Sequence, residues 1–223
     1  MRQFRTQAII LRRTNYGEAD RILNLLTPDH GKQSAIAKGV RRPKSKLAGG
    51  LELFAVCDVT ILQGKSDMGV ITSSRIKVFY GDILRDYDRM QVAYEVIKQI
   101  NKATETVTDP AFYALLHDSL LYLGDLKIDW RITELWFGLQ LANVLGSGIN
   151  LLTDRDDKPL AEDKKYGFDS QLGVFYASDR GVFDADHIKL LRVALVKTPI
   201  VLSRLGGLEK LDWSRLREVI GKY

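Results

Sequence analysis

Six cationic residues, Lys32, Lys38, Arg41, Arg42, Lys44 and Lys46, crowd one short stretch, and no Asp or Glu occurs between His30 and Leu51. Side chains of this type at this density suit one chemistry, the neutralisation of a polyanion. Mobile Lys and Arg heads can follow a phosphate backbone without demanding one fixed geometry. The same run also fits a solvated, mobile surface loop, and composition alone leaves both readings open.

Covalent and metal chemistry finds less support. Gly64-Lys65-Ser66 has the ending of a phosphate-binding loop, but Val59 stands where its first glycine belongs, and Gly31-Lys32 is followed by Gln33. Neither segment would cradle a nucleotide. His30, His117 and His187 lie in unrelated contexts without metal-ligand spacing, which assigns them to the surface or to caps. Glu18 and Asp20 resemble a nuclease carboxylate pair, yet beside Arg21 they fit better as residues that pin a loop through side-chain to backbone hydrogen bonds. Cys57, the single cysteine, alternates with Leu53, Ala55, Val59 and Ile61 and reads as a buried apolar residue. Alone it makes neither an internal disulfide nor a thiolate metal site, which suits a reducing cytoplasmic setting.

The elements around the basic run are strands. Phe4 to Arg12 is rich in β-branched and apolar residues, and Ile22 to Thr27 and Gln33 to Val40 flank the turn sequence Pro-Asp-His-Gly. The second strand of that hairpin is expected to open into a long flexible basic loop. Leu51 to Leu62 gives a fourth strand and Gly69 to Tyr80 a fifth, with Val70, Thr72, Ser74, Ile76 and Val78 on one face and Arg75 and Lys77 on the other. Five strands in so short a span predict a small closed barrel of the OB type, which presents a face and loops to single-stranded nucleic acid.

The order Tyr16-Gly17-Glu18-Ala19-Asp20, Thr27-Pro28-Asp29-His30-Gly31, Ala37-Lys38-Gly39-Val40-Arg41-Arg42 resembles the N-terminal signature of the bacterial recombination mediator family RecO. The likeness is strong over roughly the first 80 residues. It implies an α+β protein of two domains, an OB-fold at 1–80 and a helical domain at 81–223. It also implies a non-enzymatic mediator of DNA repair and recombination that binds single- and double-stranded DNA, anneals complementary strands, works with RecR and helps load RecA onto strands coated by single-strand-binding protein. The residues expected to meet DNA are Arg13, Arg21, Lys32, Lys38, Arg41, Arg42, Lys44 and Lys46, with Tyr16 as a base-stacking candidate. The helical domain would receive the acidic, apolar C-terminal tail of single-strand-binding protein, and Lys127, Arg131, Lys189, Arg192 and Lys197 are candidates for that surface. Many relatives carry a four-cysteine zinc loop between helices of the second domain. No cysteine follows Cys57 here, so the expectation is no cofactor and a metal-free hairpin at about 151–181, packed through Tyr166, Phe168, Phe175 and Tyr176.

The helical part follows from its periodicity. Ile83, Tyr87, Met90, Tyr94 and Ile97 trace an amphipathic stripe from about Asp82 to Lys102. Pro110 opens a second helix through Phe112, Leu115, Leu116, Leu120 and Leu123, and Asp129 caps a third that buries Trp130, Leu135, Trp136, Leu139 and Leu145. Asp184 or Asp186 and Asp212 start two closing helices.

Charge follows the same division. Residues 1–80 carry 14 Lys and Arg against 6 Asp and Glu, a net of +8, and the remaining 143 carry 19 against 22, a net of −3. A basic first third points to an anionic partner met by the N-terminal part. No stretch approaches the ~18 apolar residues of a membrane span, so a cytoplasmic, nucleoid-associated protein without a membrane partner is expected. Two other readings remain open on the residues, an adaptor whose basic loop contacts a protein such as RecR, and an RNA-binding OB-fold protein.

Overall fold

A computed structural model describes residues 2–221. Five strands, β1 (Arg2–Tyr16), β2 (Asp20–Thr27), β3 (Gly31–Ala37), β4 (Ala55–Gln63) and β5 (Met68–Phe79), form a closed barrel in the order β1-β2-β3-β5-β4. The long β1 closes it by pairing with two neighbours, through residues 2–9 to β4 and through residues 9–16 to β2. The remaining seam is a short parallel pairing of Ser34–Ile36 on β3 with Met68–Val70 on β5. Each strand thereby pairs with two neighbours, and the expected OB-fold barrel is present.

Alternation along the strands builds the core. Ala8 and Ile10 of β1, Leu23 and Leu25 of β2, Ala35 and Ala37 of β3, and Ala55, Cys57, Val59 and Ile61 of β4 point into one apolar cluster. The β5 pattern differs from the expected one. Register shifts at Val56/Cys57 and Thr60/Ile61 break its alternation, so Ile71 and Ile76 face the core while Thr72 and Val78 lie exposed.

The change of period at residue 80 marks the end of the strands, but compactness divides the chain elsewhere, into one unit that ends at Asp125 and another that starts at Leu126. In the first, α1 (Tyr87–Ala103) packs against β1 and α2 (Ala111–Leu123). A 3-10 turn over Gly81–Arg85 precedes α1, which begins later than expected because the Asp86 side chain accepts the Arg89 N–H as its cap. The expected stripe holds at Ile83 and Ile97, which are buried, and fails at its two tyrosines. Tyr87 and Tyr94 are exposed, and Val92, Ala93, Val96, Ile97 and Ile100 are buried. The buried Arg89 guanidinium donates to the carbonyls of Leu123 and Asp125, which closes the C-terminal end of α2.

In the second unit, α3 (Trp130–Val144) is capped by Asp129, α4 (Ala185–Val196) by Asp184 and α6 (Trp213–Ile220) by Asp212; α5 (Pro199–Leu202) is a single turn. Between α3 and α4 a hairpin forms from β6 (Tyr166–Asp169) and β7 (Val174–Ala177). Tyr166, Phe175 and Phe183 are almost wholly buried, and the rings of Phe175 and Phe183 meet edge to face at 5.3 Å. Tyr176 instead sits at the rim beneath the Arg155 guanidinium.

Candidate nucleic-acid interface

The basic run begins where β3 stops. Gly39 turns the chain at φ +64°, a left-handed conformation that glycine adopts without strain, and its N–H donates to Asp20 Oδ1 at 2.7 Å. Two residues on, the Arg41 N–H donates to the Ala19 carbonyl at 2.9 Å and its guanidinium reaches the Gly17 carbonyl at 3.3 Å. The Gly17–Asp20 turn and the Lys38–Arg42 segment, separate in sequence, are thus hydrogen-bonded to each other. The third segment closes its own hairpin. The Thr27 hydroxyl accepts the His30 N–H and donates to the Gly31 carbonyl.

Beyond Arg42 the chain advances as a series of turns. Ser45 N–H donates to the Arg42 carbonyl, Leu47 N–H to the Ser45 hydroxyl, and the Ser74 hydroxyl of β5 to the Leu47 carbonyl at 3.2 Å. Val40 and Leu51 are buried in the barrel cluster, and Leu47 packs against it. Gly50 lies so close to Ser74 that a Cβ there would collide with its backbone. The segment is a chain of turns with apolar anchors where a long loop was expected.

Its side chains remain outside. Lys38, Arg41, Arg42, Lys44 and Lys46 are all exposed, and none forms an ion pair among the described residues. Five like charges on a fixed backbone, without a carboxylate among them, raise a local positive potential that a polyanion would relieve.

The other residues singled out from sequence fare differently. Tyr16, at the end of β1, is 57% exposed and open to a stacking partner. Arg21 on β2 donates to Asn15 Oδ1 at 3.2 Å. Arg13 is ion-paired with Glu52 at 3.0 Å. Lys32 faces α1, where its ammonium donates to the Asn101 carbonyl at 2.8 Å and lies 3.7 Å from Glu105. That side chain is mostly buried and closes the end of a helix, unlike the exposed cations from Lys38 to Lys46.

In the second unit, Lys127 and Arg131 line a shallow hollow of about 300 Å³ with Ile132, Leu205, Leu208 and Trp213. Arg131 is clamped by Asp129 and lies over the Trp213 ring. Lys189 lines a neighbouring hollow that shares Leu205 and Leu208, and it pairs with Glu162 at 3.1 Å. Arg192 donates to the Leu151 carbonyl at 2.9 Å, and Lys197 is exposed past the end of α4. The five candidates therefore do not share one surface feature.

Among the described residues no group of three or more His, Cys, Asp or Glu side chains could hold a metal ion. Cys57 is buried in the barrel, where burial pushes its thiol pKa up and keeps it protonated. A four-thiolate zinc group does not fit these residues. No helix among the described residues is long and apolar enough to cross a membrane.

Comparison with known proteins agrees with the motif reading. Residues 1–79 match the family described as Recombination protein O N terminal. Proteins named DNA repair protein RecO are similar over about half of the chain. That of Dehalococcoides mccartyi is 42% identical over 118 residues, covering 52% of this chain and 46% of the relative. That of Bifidobacterium adolescentis is 39% identical over 108 residues, 48% and 44% of the two chains, and that of Bifidobacterium longum 38% over 123 residues, 54% and 51%. The match spans about half the length of these relatives.

Proposed function

We propose, on the premise that residues 1–79 belong to the RecO N-terminal family, that this chain is a non-enzymatic mediator of DNA repair and recombination which grips single-stranded DNA with the basic turn segment of its barrel. The observation that carries the reading is the set of five exposed cations from Lys38 to Lys46, held on an ordered backbone without a counter-charge. Annealing brings two polyanions together. A protein speeds that encounter by neutralising phosphates while leaving base edges free to pair. Lys and Arg heads on a turn segment suit that task, because they contact backbone oxygens and carry little sequence preference.

RecR, RecA-loading and the C-terminal tail of single-strand-binding protein follow from the family as proposed partners. For the tail, the hollows around Leu205 and Leu208 carry Lys127, Arg131 and Lys189, with Asp129, Asp186 and Glu209 in the same lining, so only the family supports that partner.

The test is binding and annealing by the wild type and by Arg41→Ala/Arg42→Ala/Lys44→Ala. If about four cations meet phosphates of a single strand, log affinity falls with log salt at a slope near −3. The triple variant is expected to melt like the wild type, to show a slope shallower by about 2, and to lose annealing of strands coated by single-strand-binding protein. Equal annealing by the two proteins would remove the segment from the mechanism. A wild type that binds RecR but not DNA would favour the adaptor reading, and a strong preference for a matched RNA strand would favour an RNA-binding protein.

A further inference from the structure

The basic turn segment does not end in open solvent. Leu47, the residue after Lys46, accepts a hydrogen bond from Ser74 on β5, and the next residue of β5 is Arg75. The turn segment is thereby stitched to the barrel wall beside a second group of cations. On that wall Asp58 of β4 lies opposite Arg75 of β5, with Arg5 of β1 one step along. One carboxylate oxygen, Asp58 Oδ2, meets the Arg75 guanidinium at 2.9 Å and the Arg5 guanidinium at 4.0 Å. The two arginine side chains are 72% and 74% exposed, and Lys77 stands nearby on β5, also exposed.

Asp58 is the single carboxylate on β1, β4 and β5 together, against six Lys and Arg. The Arg75 hydrogen bond holds its carboxyl below the ordinary aspartate range, with Arg5 and Lys77 adding to the effect, so it stays ionised and keeps both guanidinium groups tethered. Beside this cluster Thr60, Thr72 and Ser73 add uncharged hydroxyls able to hydrogen-bond. Neutral hydroxyls and tethered guanidiniums are what a phosphate backbone meets favourably.

We infer that the DNA path continues from the basic turn segment across the outer wall of β1, β4 and β5, where Arg5, Arg75 and Lys77 contact the phosphates of the same single strand. The inference rests on the proposed DNA-binding reading and extends its footprint from one segment to one side of the barrel. The arginines are exposed while Asp58 is 18% exposed, so the variants are compared at matched stability, and a Lys pair keeps a cation beside the carboxylate. The strand-compatible side chain for the change is Thr.

The experiment titrates a labelled single-stranded oligonucleotide of roughly 16 nucleotides with the full chain at several salt concentrations. It compares the wild type, Arg5→Thr/Arg75→Thr/Lys77→Thr, the charge-keeping Arg5→Lys/Arg75→Lys, and Arg41→Ala/Arg42→Ala/Lys44→Ala. With melting temperatures matched, the Thr variant is expected to show a salt slope shallower by about 2, at 0.7 per lost contact, and the Lys variant to stay near the wild-type slope. A Thr variant with the wild-type slope, alongside a turn-segment variant that has lost its own, overturns the extended path and leaves the proposed function standing. Loss of slope in neither variant overturns both.

Discussion

Asp20 accepts the backbone N–H of Gly39 at 2.7 Å and so ties the first residue of β2 to the start of the basic turn segment. A charged acceptor on a backbone donor contributes about 1.5–3 kcal/mol when it is removed. Asp20→Ala is expected to lower the stability of the first unit by about that amount. Amide exchange of Gly39 and Arg41 should accelerate while the amides of β1 and β4 keep their protection. Unchanged exchange at Gly39 would mean that the tie does not order the segment.

Lys32 tests the distinction between a cation that binds outward and one that is used inward. Its ammonium closes the Asn101 carbonyl near the end of α1, where helices leave carbonyls without partners. Lys32→Met is expected to cost about 1–2 kcal/mol in urea unfolding while single-strand affinity stays within about twofold of the wild type. A large loss of affinity without a loss of stability would return Lys32 to the interface.

The hairpin of the second unit depends on a glycine outside it. Tyr166 and Phe183 exchange backbone hydrogen bonds at 2.8 and 3.0 Å, and a Cβ at Gly181 would fall 2.5 Å from the Tyr166 backbone. Gly181→Ala is expected to destabilise the second unit by about 1–3 kcal/mol, read by thermal unfolding. A chelator should leave the wild-type melting temperature unchanged, because aromatic burial by Tyr166, Phe175 and Phe183 supports this region. A chelator-induced drop would point to a bound metal.

Tyr113 gives a prediction at alkaline pH. Its hydroxyl is buried with no hydrogen-bond partner among the described residues, and burial pushes its pKa from 10 up to about 12. The folded state holds the phenol proton more tightly than the unfolded state does, so stability is full below pH 10 and falls as pH rises toward 12. Tyr113→Phe removes both the orphan hydroxyl and the titration. Its stability at neutral pH is expected to equal or exceed the wild type by up to about 1 kcal/mol, with a flatter loss across the alkaline window. An unchanged alkaline profile would assign that loss to other groups.

Local chemistry made much of this molecule readable in advance. Asp129, Asp184 and Asp212 cap helices because a short carboxylate satisfies the first free amides, whatever the rest of the chain does. Phe112, Leu115, Leu116, Leu120 and Leu123 fall on the buried face of α2, as their spacing requires. Spacing failed in part for α1, where Ile97 is buried as expected but Tyr87 and Tyr94, amphipathic through their hydroxyls, face outward. It failed again on β5, where two register shifts move Ile71 and Ile76 onto the core side.

The sequence by itself determined the five strands, the RecO-like motifs, the caps and the place where positive charge accumulates, because each depends on residues a few positions apart. The tertiary structure alone decided which cations are left for a partner. Lys32 and the five from Lys38 to Lys46 are alike in composition, but Lys32 meets a carbonyl 69 positions away and the Glu105 carboxylate, while the others meet no carboxylate among the described residues. The parallel seam of β3 and β5, the Asp20–Gly39 tie and the contact of Leu47 with Ser74 are of the same kind. A charge or a hydrogen-bonding group records its own capacity in the sequence, whereas its partner is fixed only when the barrel closes and brings distant backbone within reach.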